Sequence, residues 1–231
     1  MEQGLIREFV TSYSLRTGVK AYLHLDHCRK IDTVKLAVDS GWDSVMIDAS
    51  HLSLDENIKL TNQVSVYAHA KGVLVEAEVG QIQGVEDDAV SDTDGIADIH
   101  DIERFLQGTN VDMIAAAVGT CHGLYRKTPD IRYELIKEVG ILTDKPFVVH
   151  GGSGLSDANF EKLLSFTHVK KINISTELKQ AYRNGIINAE KNGMLMRDGF
   201  DVMAVKREIY YAIKTTAAYK LRLLNKESRD E

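Results

Sequence analysis

Six short apolar runs, separated by polar or glycine-containing breaks, recur along this chain. They are short and several are rich in valine and isoleucine, which is typical of buried parallel strands. Amphipathic stretches with helical spacing lie between them, so the alternation predicts repeated βα units. The apolar runs cover residues 19–25, 44–47, 72–79, 113–118, 146–149 and 169–174, and the helical stretches cover residues 30–40, 54–71, 101–108, 131–139 and 156–165.

The remainder of the chain, beyond Thr176, has a helical pattern to its end. Residues 203–224 alternate apolar and basic positions at helical spacing, which indicates a packing or oligomerisation face. We therefore predict an α/β fold of the TIM-barrel type, built as one domain over residues 1–231. The C-terminal helices of this domain are expected from about residue 177.

Composition and charge argue against several classes of protein. With 231 residues, of which 44% are hydrophobic and 27% charged, the chain is typical of a soluble globular protein. No apolar run reaches about 18 residues, so no membrane span is predicted. The N-terminus lacks a secretory pattern and the two cysteines suggest no disulfide framework, so we predict a cytoplasmic location. The net charge of −6 argues against a nucleic-acid partner but not against a small phosphorylated ligand.

Metal-capable side chains occur at the C-terminal ends of the predicted strands, which meet on one face of a parallel barrel. Three of them are histidines from different strand ends. Three imidazoles around an open fourth position are the ligand set of a catalytic zinc ion. We therefore predict that His27, His122 and His150 bind zinc. His24 is interpreted as packing or as support for the ligands, and the remaining histidines, His51, His69, His100 and His168, as ordinary core or surface residues.

Carboxylates accompany these histidines. Asp26 precedes the first of them at a strand end and could donate or accept a proton. Asp48 and Glu78 could bind a second cation or orient the first ligands. Glu76 shares a strand face with Glu78, but the sequence assigns it no metal-binding role.

An acidic, apolar-poor stretch covers residues 87–101. It is interpreted either as a mobile active-site loop or as a solvated surface loop. Glu86 lies in the segment Gly84-Val-Glu-Asp-Asp88 that leads into this stretch, and a carboxylate there could act as a general base.

Two segments rich in glycine or hydroxyl groups precede helices after the last two predicted strands. Residues 151–154 read Gly-Gly-Ser-Gly, and residues 173–177 read Asn-Ile-Ser-Thr-Glu. Each segment alone could equally be a helix cap. Because helix N-termini and the last two βα loops of a barrel frequently bind phosphate, the pair predicts a phosphate site. The loop at residues 125–127 could add a cation.

Six segments in order resemble the class II ketose-bisphosphate aldolases, which include the fructose- and tagatose-bisphosphate enzymes. The resemblance runs from about residue 19 to about residue 179. The segments are His24-Leu-Asp-His27-Cys28, Met46-Ile-Asp48-Ala-Ser50-His51, Val75-Glu-Ala-Glu78-Val-Gly80, Gly119-Thr-Cys-His122-Gly-Leu-Tyr125, His150-Gly-Gly-Ser-Gly154 and Asn173-Ile-Ser-Thr-Glu-Leu-Lys179.

The resemblance implies reversible aldol cleavage of a ketose 1,6-bisphosphate, or a related phosphorylated ketose, to dihydroxyacetone phosphate and an aldehyde through a zinc-stabilised enediolate. It implies that Asp26 is the proton donor, that Glu86 abstracts the substrate proton, and that Asp48 and Glu78 bind or transiently receive a second metal position. It also implies a monovalent cation, Na or K, near the phosphate and a homodimer or homotetramer. The residues implied to hold dihydroxyacetone phosphate are Gly123, Gly151, Gly152, Ser153, Asn173, Ile174, Ser175 and Thr176.

The chain departs from the family pattern in several ways. The family barrel has eight strands and only six are identifiable, so the first two βα units are lacking, and we expect either a fragment or a natively short protein. Gln83 replaces a usual glycine, which would stiffen the loop, and Cys121 replaces a usual alanine. Two alternatives follow. One is a non-catalytic metal- or phosphate-binding remnant of this family. The other is a barrel metallohydrolase, which would leave the two phosphate segments unexplained.

Overall fold

The computed structural model of the protein describes residues 3–86, 89–91, 96–125, 127–195 and 200–225, with the backbone alone described at residues 85, 86 and 89–91. The helices are α1 (Gln3–Thr17), α2 (Ile31–Asp39), α3 (Leu54–His69), α4 (Ile99–Gly108), α5 (Tyr133–Leu142), α6 (Asp157–Leu164), α7 (Thr176–Lys191) and α8 (Val202–Leu224). The strands are β1 (His24–Cys28), β2 (Ser44–Ile47), β3 (Leu74–Val79), β4 (Gln83–Glu86), β5 (Ala89–Ser91), β6 (Met113–Ala116), β7 (Cys121–His122), β8 (Phe147–Val149) and β9 (Val169–Ile172).

Six of these strands form one parallel sheet in the order β1-β2-β3-β6-β8-β9. Each strand follows the previous one across a helical connection, which is the arrangement of a βα barrel. The prediction of six parallel strands in an α/β fold of the TIM-barrel type is confirmed. The sheet covers part of a barrel and has two edges, β1 and β9.

The first strand begins later than the apolar pattern predicts. The run at residues 19–25 was expected to be the strand, but β1 covers His24–Cys28. Val19 is 55% exposed and Tyr22 is 73% exposed. Pairing with β2 starts only where His24 lies opposite Ser44. An edge strand has one neighbour to define it, so the apolar residues before this point do not extend the strand.

The core lies on both faces of the central strands. All four residues of β2 are buried, as are the three residues of β8 and all of β3 except Leu74. Strands buried on both faces are expected where helices cover a parallel sheet. The covering helices contribute Ala37, Ile102 and Phe160, each fully buried. This core fixes the strand ends that carry the polar residues.

A second, three-stranded sheet of order β5-β4-β7 stands beside the ends of the main sheet. β4 and β5 form an antiparallel hairpin, and β4 pairs in parallel with β7 through Gln83 opposite Cys121. The stretch 87–101 is therefore not a single loop, because Ala89–Ser91 forms a strand and Ile99 begins α4. Residues 87, 88 and 92–95 of that stretch lie outside the described residues.

Two helices follow Thr176, as the helical pattern predicts, but the chain is not helical between Lys191 and Val202 in the residues described. The two helices pack against each other. Gly185 in α7 lies so close to α8 that an added Cβ would be 2.4 Å from Cα of Ile209. Several apolar side chains of α8 face outward, including Met203, Tyr210 and Leu221. Within the described residues, no helix combines the length and the apolar character needed to cross a membrane.

Candidate active site

Three imidazole rings meet at the C-terminal ends of the parallel strands. His27 lies in β1, His122 in β7 and His150 directly after β8. The ring centroids are 4.8 Å apart for His27 and His122, 4.5 Å for His27 and His150, and 5.9 Å for the third pair. One nitrogen of each ring lies within 4.8 Å of the other two. The structure thus brings together the three histidines predicted to hold a metal.

The backbone has an unusual conformation at His27. Its φ is +42°, a left-handed value that no other non-glycine residue of the described chain adopts. The register of β1 against β2 also shifts between Leu25 and Cys28. Such an irregularity re-aims a side chain. Here Nε2 of His27 lies 2.6 Å from Nδ1 of His150.

Two carboxylates orient these rings. Nδ1 of His27 lies 3.2 Å from Oδ2 of Asp48, and Nε2 of His150 lies 2.8 Å from Oε1 of Glu76. Because an ionised carboxylate only accepts hydrogen bonds, the ring protons belong on these two nitrogens. The lone pairs of the other two nitrogens then point toward each other, and a cation that both nitrogens bind would remove their repulsion. This donor set fits a metal ion held by neutral imidazoles.

Glu76 connects His150 to the far edge of the sheet. It is fully buried, and its Oε2 accepts a hydrogen bond from Nζ of Lys171 in β9 at 2.7 Å. Burial opposes ionisation, but the hydrogen bond with His150 and the nearby positive charge lower the pKa of Glu76 to about 2. Burial lowers the pKa of His150, which favours the neutral ring. Glu76 therefore orients a candidate ligand, a role that the sequence does not assign to it.

Asp48 and Glu78 form a pair of acids beside His27. Burial, together with the charge of Asp48, raises the pKa of Glu78 to about 8. Burial also opposes ionisation of Asp48, but hydrogen bonds with His27 and Ser50 hold its pKa well below the usual range. Oε2 of Glu78 is buried without a hydrogen-bond partner among the described residues. A cation entering here would satisfy that oxygen.

Asp26 lies next to the histidine cluster and is partly exposed. Its Oδ2 accepts a hydrogen bond from Nδ2 of Asn173 at 2.9 Å, and its Oδ1 lies 3.4 Å from Nε2 of His24. Burial acts to raise the pKa of Asp26, but the contact with His24 and the nearby charges of His150 and His27 hold it well below the usual range. Asp26 is thus ionised in the free protein. Proton donation from it requires a ligand that changes these contacts.

A small cleft opens beside His122. Its lining is rich in glycine, hydroxyl and amide groups, and it lies at the starts of helices, which suits an anion. Lys179 contributes a positive charge. Of the residues predicted to bind substrate, Gly152 and Ile174 do not line the cleft. Those that do are Gly123, Gly151, Ser153, Asn173, Ser175 and Thr176.

The glycine-rich segment after His150 packs tightly against neighbouring backbone. N–H of Gly152 donates to the carbonyl of Asn173 at 2.8 Å, and an added Cβ would lie 2.8 Å from the same oxygen. Gly151 has φ +73°, and its carbonyl accepts a hydrogen bond from the Tyr125 hydroxyl at 2.7 Å. The same hydroxyl accepts from N–H of Cys121 at 3.1 Å. Tyr125 therefore joins the segment that carries His122 to the one that carries His150.

The second segment is not capped as its sequence predicts. Ser175 is the N-cap of α7, but its side chain makes no capping hydrogen bond. The carboxylate of Glu177 instead reaches across to accept from N–H of Gly154 at 2.7 Å. The two predicted phosphate segments are thus bonded to each other.

The hairpin that contains Glu86 stands over His122. Gly84 has φ +115°, and a Cβ added there would lie 2.2 Å from the carbonyl oxygen of His122, so only glycine allows this approach. The backbone of Glu86 pairs with Ala89 at the end of β4. The side chain of Glu86 lies outside the described residues, as does Arg126 of the predicted cationic loop. Lys127 is exposed and does not line the cleft.

Comparison with protein families and curated proteins gives consistent matches. The family model for class-II fructose-bisphosphate aldolase matches residues 2–229. A fructose-bisphosphate aldolase of Staphylococcus aureus is 35% identical over 217 residues, which are 94% of this chain and 74% of that protein. A 6-phospho-5-dehydro-2-deoxy-D-gluconate aldolase of Halalkalibacterium halodurans is 37% identical over 208 residues, covering 90% of this chain and 70% of that protein.

Solved structures agree with these matches. The YdjI aldolase from Escherichia coli K12 has a TM-score of 0.80 at 30% identity, over 96% of this chain and 75% of that one. A putative fructose-1,6-bisphosphate aldolase from Coccidioides immitis has a TM-score of 0.82 at 26% identity, over 96% of this chain and 77% of that one. The barrel-type fold is therefore shared with proteins of this kind.

Proposed function

This chain belongs to the class-II fructose-bisphosphate aldolase family, a family of lyases that catalyse reversible aldol cleavage, and we propose on that premise that its substrate is a ketose 1,6-bisphosphate or a related phosphorylated ketose. The products are then dihydroxyacetone phosphate and an aldehyde. One observation carries the proposal. The imidazoles of His27, His122 and His150 converge beside a cleft whose glycine and hydroxyl groups suit a phosphate.

The family depends on a metal ion, and the described part of this site holds two groups of side chains that could bind one. We assign zinc to the three histidines, because neutral imidazoles with carboxylates behind them are its usual ligands at catalytic sites. Asp48 and Glu78 serve a second metal position. When bound, the ion supplies a Lewis acid that polarises substrate oxygens. We also expect a sodium or potassium ion near the phosphate, a homodimer or homotetramer, and a cytoplasmic location.

Two carboxylates carry the proton transfers in this proposal. In the direction of synthesis, Glu86 takes a proton from the carbon beside the keto group of dihydroxyacetone phosphate. Asp26 then protonates the aldehyde oxygen as the new carbon–carbon bond forms, and cleavage is the reverse. The phosphate is held by Ser153 and by residues 173–176, which orients the substrate for both proton transfers.

Two other functions use parts of the same site. A metallohydrolase would use the histidines and a bound water, but this function does not explain the phosphate cleft. A non-catalytic remnant would keep the metal and the phosphate but show no turnover. The aldolase accounts for the histidines, the acids and the cleft together, so it is the function that the geometry supports best.

A retro-aldol assay tests the proposal directly. Purified protein with fructose 1,6-bisphosphate, tagatose 1,6-bisphosphate or 6-phospho-5-dehydro-2-deoxygluconate should release a three-carbon product from at least one of them. Chelation should reduce the rate by at least about 100-fold, and added zinc should restore it, since metal assistance contributes several kcal/mol to transition-state stabilisation. Zinc binding without turnover on any phosphorylated ketose would favour the remnant, and release of acid without triose would favour the hydrolase.

The phosphate cleft leads to a second prediction. A Ser153→Ala, Thr176→Ala double variant should bind the phosphorylated ketose at least about tenfold more weakly, because a hydrogen bond to a charged group contributes about 1.5–3 kcal/mol. Metal content should not change, and the non-phosphorylated ketose should be affected far less. Ser165→Ala, at the opposite end of α6, is the control. Equal losses for both ketoses would mean that these residues shape the loops without recognising phosphate.

A further inference from the structure

A buried lysine of the C-terminal helix α8 pairs with a carboxylate in the first turn of α7, the helix whose start lines the cleft. Lys220 of α8 is 6% exposed, and its Nζ lies 2.9 Å from Oε1 of Glu177, in the first turn of α7. The Lys220 ammonium also lies 4.6 Å from the ring centre of Phe160 in α6. The neighbouring Tyr219 hydroxyl donates to Asp157 at the start of α6. Helix α8 therefore contacts both helices that begin at the cleft.

Glu177 transmits this contact to the glycine-rich segment. The oxygen that pairs with Lys220 also accepts the N–H of Gly154, and the backbone N–H of Glu177 donates to Oγ of Ser153 at 3.2 Å. A hydroxyl has one proton and two lone pairs. Because Glu177 occupies a lone pair of Ser153, the hydroxyl proton is directed elsewhere, and Ser153 lines the cleft. The contact thus prepares Ser153 as a donor.

The charge of Glu177 would otherwise oppose phosphate. Its second oxygen, Oε2, is buried and has no hydrogen-bond partner in the part of the chain that the structure describes. A carboxylate in this position, one turn from a phosphate site, repels an anion unless a cation balances it. Lys220 supplies that cation from outside the cleft lining. Lys179 also lines the cleft.

We propose that Lys220 and Glu177 form a charge pair that sets the phosphate affinity of the cleft, with both acting as positioning residues and neither touching the reacting atoms. This rests on the proposed function, since the cleft is taken to hold the phosphate of the substrate. A buried ion pair is weak evidence for stability, because hydrophobic replacement of both partners is often neutral. A role in positioning the anion site explains why this pair is buried here, whereas a contribution to folding stability does not.

Inorganic phosphate binding, measured by calorimetry, tests the proposal without requiring turnover. Lys220→Met should weaken phosphate binding at least fivefold, because an unbalanced carboxylate then stands beside the cleft. Glu177→Gln should bind phosphate more tightly than wild type, since it removes a negative charge beside the cleft while its amide oxygen can still accept from Gly154. The Lys220→Met, Glu177→Gln double variant should recover most of the lost affinity. Lys206→Met, at an exposed position of the same helix, is the control.

The kinetic readout should separate positioning from general damage. Lys220→Met should raise KM for the phosphorylated ketose and leave kcat within about twofold, with metal content unchanged. A loss of phosphate affinity below fivefold would overturn the proposal. So would a double variant that binds no better than Lys220→Met, because that result indicates a structural role. If Lys220→Met does not fold, Glu177→Ala is measured in its place. A phosphate affinity of Glu177→Ala equal to that of Glu177→Gln would then contradict the proposal.

Failure of this inference differs from failure of the aldolase assignment. If the wild-type protein binds phosphate but cleaves no ketose, the aldolase assignment is contradicted. The charge-pair proposal can still be tested by phosphate binding. Wild-type protein that cleaves the ketose while Lys220→Met binds phosphate normally would overturn only the charge pair. Wild-type protein that binds no phosphate would also overturn the charge-pair proposal.

Discussion

Replacing His122 and His150 together by alanine should reduce bound zinc from about one ion per chain to a trace and reduce cleavage at least about 1,000-fold. Three neutral imidazoles held on strand ends form a high-affinity site, and one imidazole cannot retain the ion. The carboxylates behind the rings fix the orientation of His27 and His150, so the free-energy cost of ordering these two ligands on metal binding is small.

Metal analysis of protein purified without chelator is the measurement for this prediction. His100→Ala is the matched control, because it removes an exposed histidine away from the cluster. Circular dichroism should confirm that the double variant is folded, since losing His150 removes a partner of the buried Glu76. Zinc that persists at one ion per chain in the folded double variant would refute the ligand assignment.

Replacing Asp26 by alanine should strongly reduce carbon–carbon bond cleavage while leaving the metal in place. Asp26 is bonded to Asn173 and lies beside the histidines, but it is not one of the three clustered rings. Proton transfer in the transition state contributes roughly 100- to 10,000-fold, so a loss in this range is expected. Exchange of the ketose phosphate C–H proton with solvent should continue at a reduced rate, because that step uses a different group.

Glu86→Ala provides the complementary result. This variant should suppress the C–H exchange as well as cleavage, since the proposed base is then missing. Asp26→Asn is the control for geometry, because it matches the shape of the carboxylate without its acid chemistry. The two roles would be wrong if Asp26→Ala loses zinc, or if Glu86→Ala exchanges the proton at the full rate.

The apolar pattern predicts the fold well because burial on a parallel sheet leaves a clear periodic signal. The predicted strands at residues 44–47 and 146–149 are found as Ser44–Ile47 and Phe147–Val149, both fully buried. The pattern failed at residues 19–23, where apolar side chains precede an edge strand and remain outside it. It also missed the β4–β5 hairpin, because an acidic, apolar-poor segment carries no strand periodicity.

The candidate site was predictable where one residue type recurs at equivalent strand ends, as the three histidines do. Its supporting contacts were not, because they join residues far apart in the chain. Glu76 meets His150 and Lys171, and neither partner can be read from local spacing. The sequence feature that marked Lys171 as unusual was its place in a pair of adjacent lysines within an apolar strand. Lys220 gave no signal, since basic residues recur throughout α8.

The backbone conformation of His27 has a consequence for laboratory evolution. A non-glycine residue in the left-handed region costs about 1–3 kcal/mol, and glycine is the natural residue to remove that cost. Selection for thermal resistance in the absence of metal would therefore favour glycine at position 27 and discard a ligand. Selection in the presence of metal would oppose that change, because an ion that binds the folded state stabilises it by a free energy that grows with the logarithm of the ion concentration. Heat tolerance and metal retention thus compete at a single residue of β1.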